Sequence, residues 1–264
     1  MSLPDSWSSG TVQVPDIDLQ YYRAGTGPTL VMAHGLYDNG RRWVSLADEL
    51  TDEYGVVAYD ARGHGRSDAP ESGYAIDDRV ADLCGLLDAL DIADPILFGH
   101  SIGAATVAWT AARHPSLPRG IVLVDPVGVD GTPEIDPERR AEIVRQRLAE
   151  GKELSIEERI RDQYDGLGDE HARRLAVATD ECDPAIANIS RHGQPPLAGA
   201  FEEITAPTLV LRRDSDIEQR VTDIDAVETL RSGRIVHVPD AGHYVFRDEF
   251  DAAVAELRTF LERI

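Results

Sequence analysis

Lysine is almost missing from this chain: one residue, Lys152, carries a side-chain amine, against 25 arginines. Cationic charge as a whole is scarce, with 26 Lys and Arg against 48 Asp and Glu and a formal net charge of −22. A surface this acidic repels nucleic acid and anionic membranes, which argues against both as partners. Two origins of the imbalance stand side by side: a salt-adapted surface, or Arg replacing Lys through the codon bias of a GC-rich genome. Cysteine is also scarce. Cys84 and Cys182 lie far apart, with no C-x-x-C or Cys/His ligand spacing, so neither a disulfide framework nor a zinc site is supported. Cys84 falls in an apolar helical pattern and reads as a small core residue. No apolar run approaches the ~20 residues of a membrane span. The first ten residues show neither the basic region nor the apolar run of a signal peptide, and a cytoplasmic location is expected.

What the chain does contain is a rhythm of short apolar runs and helical patterns, without internal repeats. Residues 11–23 alternate around a turn at Pro15-Asp16, which predicts an antiparallel hairpin at a sheet edge. Continuous apolar runs at 29–33, 55–59, 96–98, 120–124, 208–211 and 234–238 predict strands, most of them buried on both faces. Helical spacing is expected at about 41–50, at 78–90 with Asp77 as its N-cap, from Ala104 to about His114, around 224–230 and at 248–263. This alternation predicts an α/β protein: a mostly parallel, doubly wound sheet of about eight strands with an antiparallel N-terminal hairpin.

Between 127 and 205 the rhythm stops. The stretch is charged and helical, clearest at 136–150 and 155–164, and has no convincing strand. About 80 residues is too long for a plain loop. The expected division is a core of 1–126 and 206–264 with a helical cap of 127–205, lying over the carboxyl edge of the sheet where open α/β sheets bind ligands.

The chemistry centres on Gly99-His100-Ser101-Ile102-Gly103, G-x-S-x-G, placed between an apolar strand and an Ala-rich helix. This is the pattern of a nucleophile elbow, whose glycines permit a turn too tight for side chains at either flank. A serine hydroxyl is a poor nucleophile until a base takes its proton. His243, in a loop after the last predicted strand, is the candidate base, because imidazole titrates near neutrality. The Gly-rich loop Asp60-Ala-Arg-Gly-His-Gly-Arg-Ser-Asp68 is expected to be structural, its Arg and Asp side chains pairing with each other.

Taken in order, His34-Gly35, the Asp60–Asp68 loop, Gly99–Gly103, Asp216 and Gly242-His243 resemble the α/β-hydrolase superfamily, in its capped single-domain branch of esterases, lactonases and related serine hydrolases. The likeness runs from about Thr11 to the end, and the cap is its least constrained part. It implies Ser101 as nucleophile and His243 as base, in the chain order Ser…Asp…His. It implies Asp216 as the acid, following the strand at 208–211, although Arg213 stands where Gly is usual; Asp214 and Asp125 are the alternatives. Backbone N–H groups of Ile102 and Leu36 would form the oxyanion hole, with Tyr37 replacing Leu36 if the loop is shifted by one residue. His34, Tyr37, His100 and Tyr244 are candidates for the substrate pocket. The activity implied is hydrolysis of a small ester or lactone by a monomer or homodimer, with no metal and no organic cofactor. Carbon–carbon hydrolysis or perhydrolase-type chemistry with the same three residues is the alternative. A slow-turnover ligand sensor, or a cofactor-free enzyme using only His243 and its acid, would stand outside that class.

Overall fold

A computed structural model of the chain describes residues 3–129 and 131–264. Eight strands form one sheet: β1 (Ser8–Gln13), β2 (Asp18–Ala24), β3 (Thr29–Ala33), β4 (Gly55–Tyr59), β5 (Ile96–His100), β6 (Gly120–Val124), β7 (Thr208–Arg212) and β8 (Gly233–His237). Their spatial order is β1-β2-β4-β3-β5-β6-β7-β8. The pairs β1–β2 and β2–β4 are antiparallel and the rest parallel, so the sheet is the mostly parallel one expected, with the N-terminal hairpin at its edge.

The apolar runs are continuous because both faces of the sheet are covered, and successive side chains go to opposite faces. Leu30, Met32, Ile96, Phe98, Val122, Val124, Leu209 and Leu211 enter one core with Trp43 and the C-terminal helices α10 (Val245–Asp248) and α11 (Phe250–Leu261). Val31, Leu97, Ile121, Leu123 and Val210 enter the other, with α2 (Ile76–Ala89) and α3 (Ile102–Arg113). Each fully buried residue of this kind contributes about 1.5–3 kcal/mol of transfer free energy.

The expected helix at 41–50 begins as a 3-10 turn, Gly40–Trp43, and continues as α1 (Val44–Asp48). α2 begins two residues earlier than predicted, with Ala75 at its N-cap position. Asp77 does not cap it. Asp78 reaches back to accept the Ala75 N–H at 2.8 Å, while Asp77 forms an ion pair with Arg113. Cys84, expected in the core, is half-buried on this helix.

Among the described residues between β6 and β7 there is no strand. Five helices fill the stretch: α4 (Pro137–Glu153), α5 (Ile156–Gln163), α6 (Asp169–Ala178), α7 (Ala187–His192) and α8 (Leu197–Phe201). The N-caps of α4 and α5 are Asp136 and Ser155, each accepting a backbone N–H three residues on. Val144, Leu148, Cys182, Ile186 and Ile189 make a small core of their own, against which Leu36, Tyr37 and Ile102 pack. Asp183 N–H donates to the Gly63 carbonyl at 2.8 Å, and Glu181 pairs with Arg41 and accepts from Asn39. No helix among the described residues is long and apolar enough to cross a membrane.

Candidate active site

The turn from β5 into α3 places Ser101 in a conformation that L-residues avoid, with φ of 56° and ψ of −117°. Such backbone costs on the order of 1–3 kcal/mol and persists only where the surroundings enforce it. They do so here. A Cβ on Gly99 would stand 2.5 Å from the Gly103 carbonyl oxygen, and one on Gly103 2.6 Å from those of Ala33 and His34. Ser101 N–H continues the ladder by donating to the Val124 carbonyl at 3.0 Å. Ser101 is 5% exposed.

His243 sits in the loop after β8, and its Nε2 lies 3.0 Å from Ser101 Oγ. Its other nitrogen, Nδ1, is 2.5 Å from Asp125 Oδ2. A carboxylate only accepts, so Nδ1 carries the proton and Nε2 is left to accept from the serine. The loop is pinned from two sides: His100 Nε2–H donates to the His243 carbonyl at 2.9 Å, and Gly242 N–H donates to Asp248 at 2.9 Å.

The acid expected from the family pattern is thus displaced. Asp216 does not reach His243; it is the N-cap of α9 (Ile217–Val227) and accepts the Gln219 N–H at 2.9 Å. That helix starts well before the expected 224. Asp214 is no substitute, because it accepts from Ser215 N–H and Asp240 N–H and pairs with Arg220. The carboxylate beside the imidazole belongs to Asp125, the residue directly after β6.

Asp125 is 2% exposed and has its own support. Its backbone N–H donates to the Leu211 carbonyl at 2.7 Å, and its Oδ1 lies 2.9 Å from the Arg212 guanidinium. Arg212 in turn donates from Nε and Nη2 to the two oxygens of Asp223, at 2.9 and 3.0 Å. His237 Nε2 and Gln219 Nε2 complete Asp223, at 3.1 and 3.0 Å. Burial pushes the Asp223 carboxyl up, but the Arg212 bonds outweigh it and hold the group below the usual carboxylate range. A buried row of alternating charges therefore runs from Asp223 through Arg212 to Asp125, and ends at His243 and Ser101. Sequence reasoning missed Arg212 and Asp223 altogether, since nothing in one strand's sequence names the partner on the next.

Two of the expected pocket residues do other work. His34 is buried; its Nε2 accepts the Ala61 N–H at 2.9 Å, and its Nδ1 faces the Gly35 carbonyl at 2.7 Å. Burial, with His64 nearby, drives its pKa far below the ordinary histidine value. His100 is equally buried and lowered, by burial first and by the Arg42 charge second. Tyr37 and Tyr244 do line a cavity, together with Arg42 and Arg247. The Arg and Asp side chains of the Asp60–Asp68 loop do not pair with each other as expected; Arg62, Asp60 and Asp68 bond to partners elsewhere in the fold and to backbone N–H groups. Arg62 holds Asp82 with two bonds of 2.6 Å, Asp60 accepts from Tyr22 and from Gly40 and Arg66 N–H groups, and His64 Nε2 lies 2.6 Å from the Leu36 carbonyl. That last contact fixes the loop after β3, and Gly35 within it approaches the His100 ring so closely that a Cβ there would lie 2.9 Å from His100 Nδ1.

A cleft of about 500 Å³ opens on the His243–Asp125 side, lined also by Gly128, Thr132 and Arg213. Among the described residues no group of three or more His, Cys, Asp or Glu side chains is placed to hold a metal ion.

With this geometry in view, the family-level comparison is decisive: the profile of the alpha/beta hydrolase family matches residues 30–257. The chain belongs to the alpha/beta hydrolase family. It is 28% identical to the 2-(acetamidomethylene)succinate hydrolase of Mesorhizobium japonicum, over 98% of this chain and 96% of that one. A crystal structure of E-2-(acetamidomethylene)succinate hydrolase superposes with a TM-score of 0.80 and 26% identity, covering 97% of this chain and 99% of the other. The 3-oxoadipate enol-lactonase 2 of Acinetobacter baylyi is 30% identical over 52% of each chain. These relatives are, by name, hydrolases of small molecules.

Proposed function

We propose that the protein is a serine hydrolase that cleaves the ester or lactone bond of a small acyl substrate through an acyl-enzyme on Ser101. One observation carries the reading: Ser101 Oγ, His243 and Asp125 form a continuous line of contacts of 3.0 and 2.5 Å at the strand ends. In this reading Asp125, and not Asp216, orients the imidazole and stabilises the imidazolium.

His243 Nε2 takes the hydroxyl proton as Ser101 Oγ attacks the substrate carbonyl. The tetrahedral oxyanion is held by the N–H groups of Ile102, at the start of α3, and Leu36, in the loop that His64 fixes. His243 returns the proton to the leaving oxygen, which breaks the acyl bond. It then deprotonates water, which attacks the acyl-enzyme and frees Ser101. Residues 127–205 act as a cap over this site, setting pocket size and excluding water.

The relative matched over nearly the whole chain is named for a substrate with an acetamido group, not an ester. That favours, as the second reading, the same acyl chemistry on a non-ester bond. Hydrolysis of p-nitrophenyl acetate, butyrate and octanoate by wild type and Ser101→Ala tests the first. Wild-type turnover is expected to fall by about 10⁴-fold or more in the variant, and the chain-length profile sizes the pocket. Turnover that persists in Ser101→Ala overturns the nucleophile, and absence of turnover on all three esters moves the weight to the second reading.

A further inference from the structure

A second cavity, of about 210 Å³, lies between the cap and the loop after β3, on the other side of the His243 loop. Its wall carries four arginines, Arg42, Arg147, Arg159 and Arg247, and a single carboxylate, Asp38. Nowhere would such a concentration be less expected than in a chain of net charge −22. Arg159 is buried and committed to Asp180 and the Leu154 carbonyl. Arg42 pairs with Asp38, and Arg247 gives only its Nε to Asp248. Arg147 takes part in no ion pair among the described residues.

The positive charge is crowded. Arg42 and Arg247 both stand against the ring of Tyr244, their Cζ atoms 5.2 and 4.3 Å from its centroid. Burial, and after it the charge of Arg247, lowers Arg42 to about 10. His171 of the cap is lowered to about 4 by burial and then by Arg174 and Arg42. Like charges held together out of water repel, and an anion placed between them relieves that cost. Guanidinium groups suit a carboxylate, which they bind with two parallel N–H···O bonds.

The cavity adjoins the reacting groups. The Tyr244 ring lies 5.3 Å from that of His243, and Tyr37 follows the loop that passes Ser101. Its volume is below the ~300–1,000 Å³ of sites for drug-sized ligands, and suits one small acid group better than a long acyl chain. Resting on the hydrolase reading of Ser101 and His243, we propose that this arginine-walled cavity is a subsite for a second carboxylate of the substrate. The substrate class is then small dicarboxylic acids with one carboxyl group held as the scissile acyl derivative.

The test uses two readouts on the full chain. Succinate is titrated calorimetrically into Ser101→Ala, where no turnover intervenes, with dimethyl succinate and sulfate as comparison probes. Saturable succinate binding is expected, weakened about tenfold or more in Arg147→Gln and in Arg247→Gln, the loss set by a charge-assisted hydrogen bond. Arg173→Gln, on an exposed face of the cap, keeps it. In the wild type, kcat/KM for p-nitrophenyl hemisuccinate is expected to exceed that for p-nitrophenyl butyrate, and the ratio to fall in both pocket variants through KM. Succinate binding without any ester turnover upholds the subsite and rejects the ester reading. Ester turnover with no hemisuccinate preference and no succinate binding overturns the subsite and leaves the hydrolase. Sulfate binding as tight as succinate overturns the commitment to a carboxylate.

Discussion

The ends of β6 and β7 are neighbours in one sheet, and each is followed by an aspartate within a few residues, yet the two carboxylates have different fates. Asp125 comes directly after β6, turns with φ of 38°, and points at His243 from a buried position. Asp216 comes four residues after β7, is exposed, and caps a helix. What separates them is the residue that ends β7. Arg212 fills the space between the strands with a buried cation, anchored by Asp223 on one side and satisfied by Asp125 on the other. A buried carboxylate is tolerable only with such a partner, so Arg212 makes the end of β6 the place where an anion can sit beside the imidazole. The acid's position is a property of the pair of strands, not of one motif.

The sharpest way to break this comparison is Asp125→Asn, which keeps shape and removes charge. A fall in kcat of about 10⁴-fold is expected, because the amide supports the wrong imidazole tautomer; a fall under tenfold in ester hydrolysis would mean another group does the work. Next in size is Arg212→Met. Removing the cation leaves Asp125 and Asp223 buried without the charge they share, and urea unfolding should show a loss of about 3–5 kcal/mol. Arg213, about half exposed and 3.9 Å from Asp125, is the comparison: if Arg213→Met is as damaging, Arg212 is not the anchor. The smallest effect belongs to Asp216→Ala. Losing an N-cap costs about 1 kcal/mol of stability, with kcat near wild type. A collapse of kcat in that variant would restore Asp216 to the chemistry.

Much of this fold was legible because the sheet is covered on both faces. An apolar run as short and β-branched as Gly120–Val124 fits a doubly covered strand better than a helix, and all eight strands fall where the pattern put them. Ser101 was legible for a steric reason: only glycines fit the flanks of its turn. His243 was legible from its place in the chain, and the structure brings its ring to Ser101. The acid was misread because family order was weighed over local chemistry. The local signal was present: Asp216-Ile-Glu-Gln219 is an aspartate followed three residues later by glutamine, the mark of a helix start. Asp77 was misread for a related reason, since helix starts drift by a residue or two and the capping carboxylate came from Asp78, inside the first turn. The arginine cavity had no linear signal at all. Arg42, Arg147 and Arg247 are about a hundred residues apart in sequence and meet only in the folded chain.

The scarcity of lysine has a consequence for handling the molecule. The one lysine, Lys152, lies near the end of α4, and its Nζ donates to the Cys182 carbonyl at 2.6 Å, in the segment that meets the core through Asp183. An amine-directed dye or cross-linker therefore has a single side-chain target, where the end of α4 meets the segment at Cys182. Labelling there turns an accident of composition into a side-chain reporter on the helical stretch between β6 and β7, without any engineered cysteine.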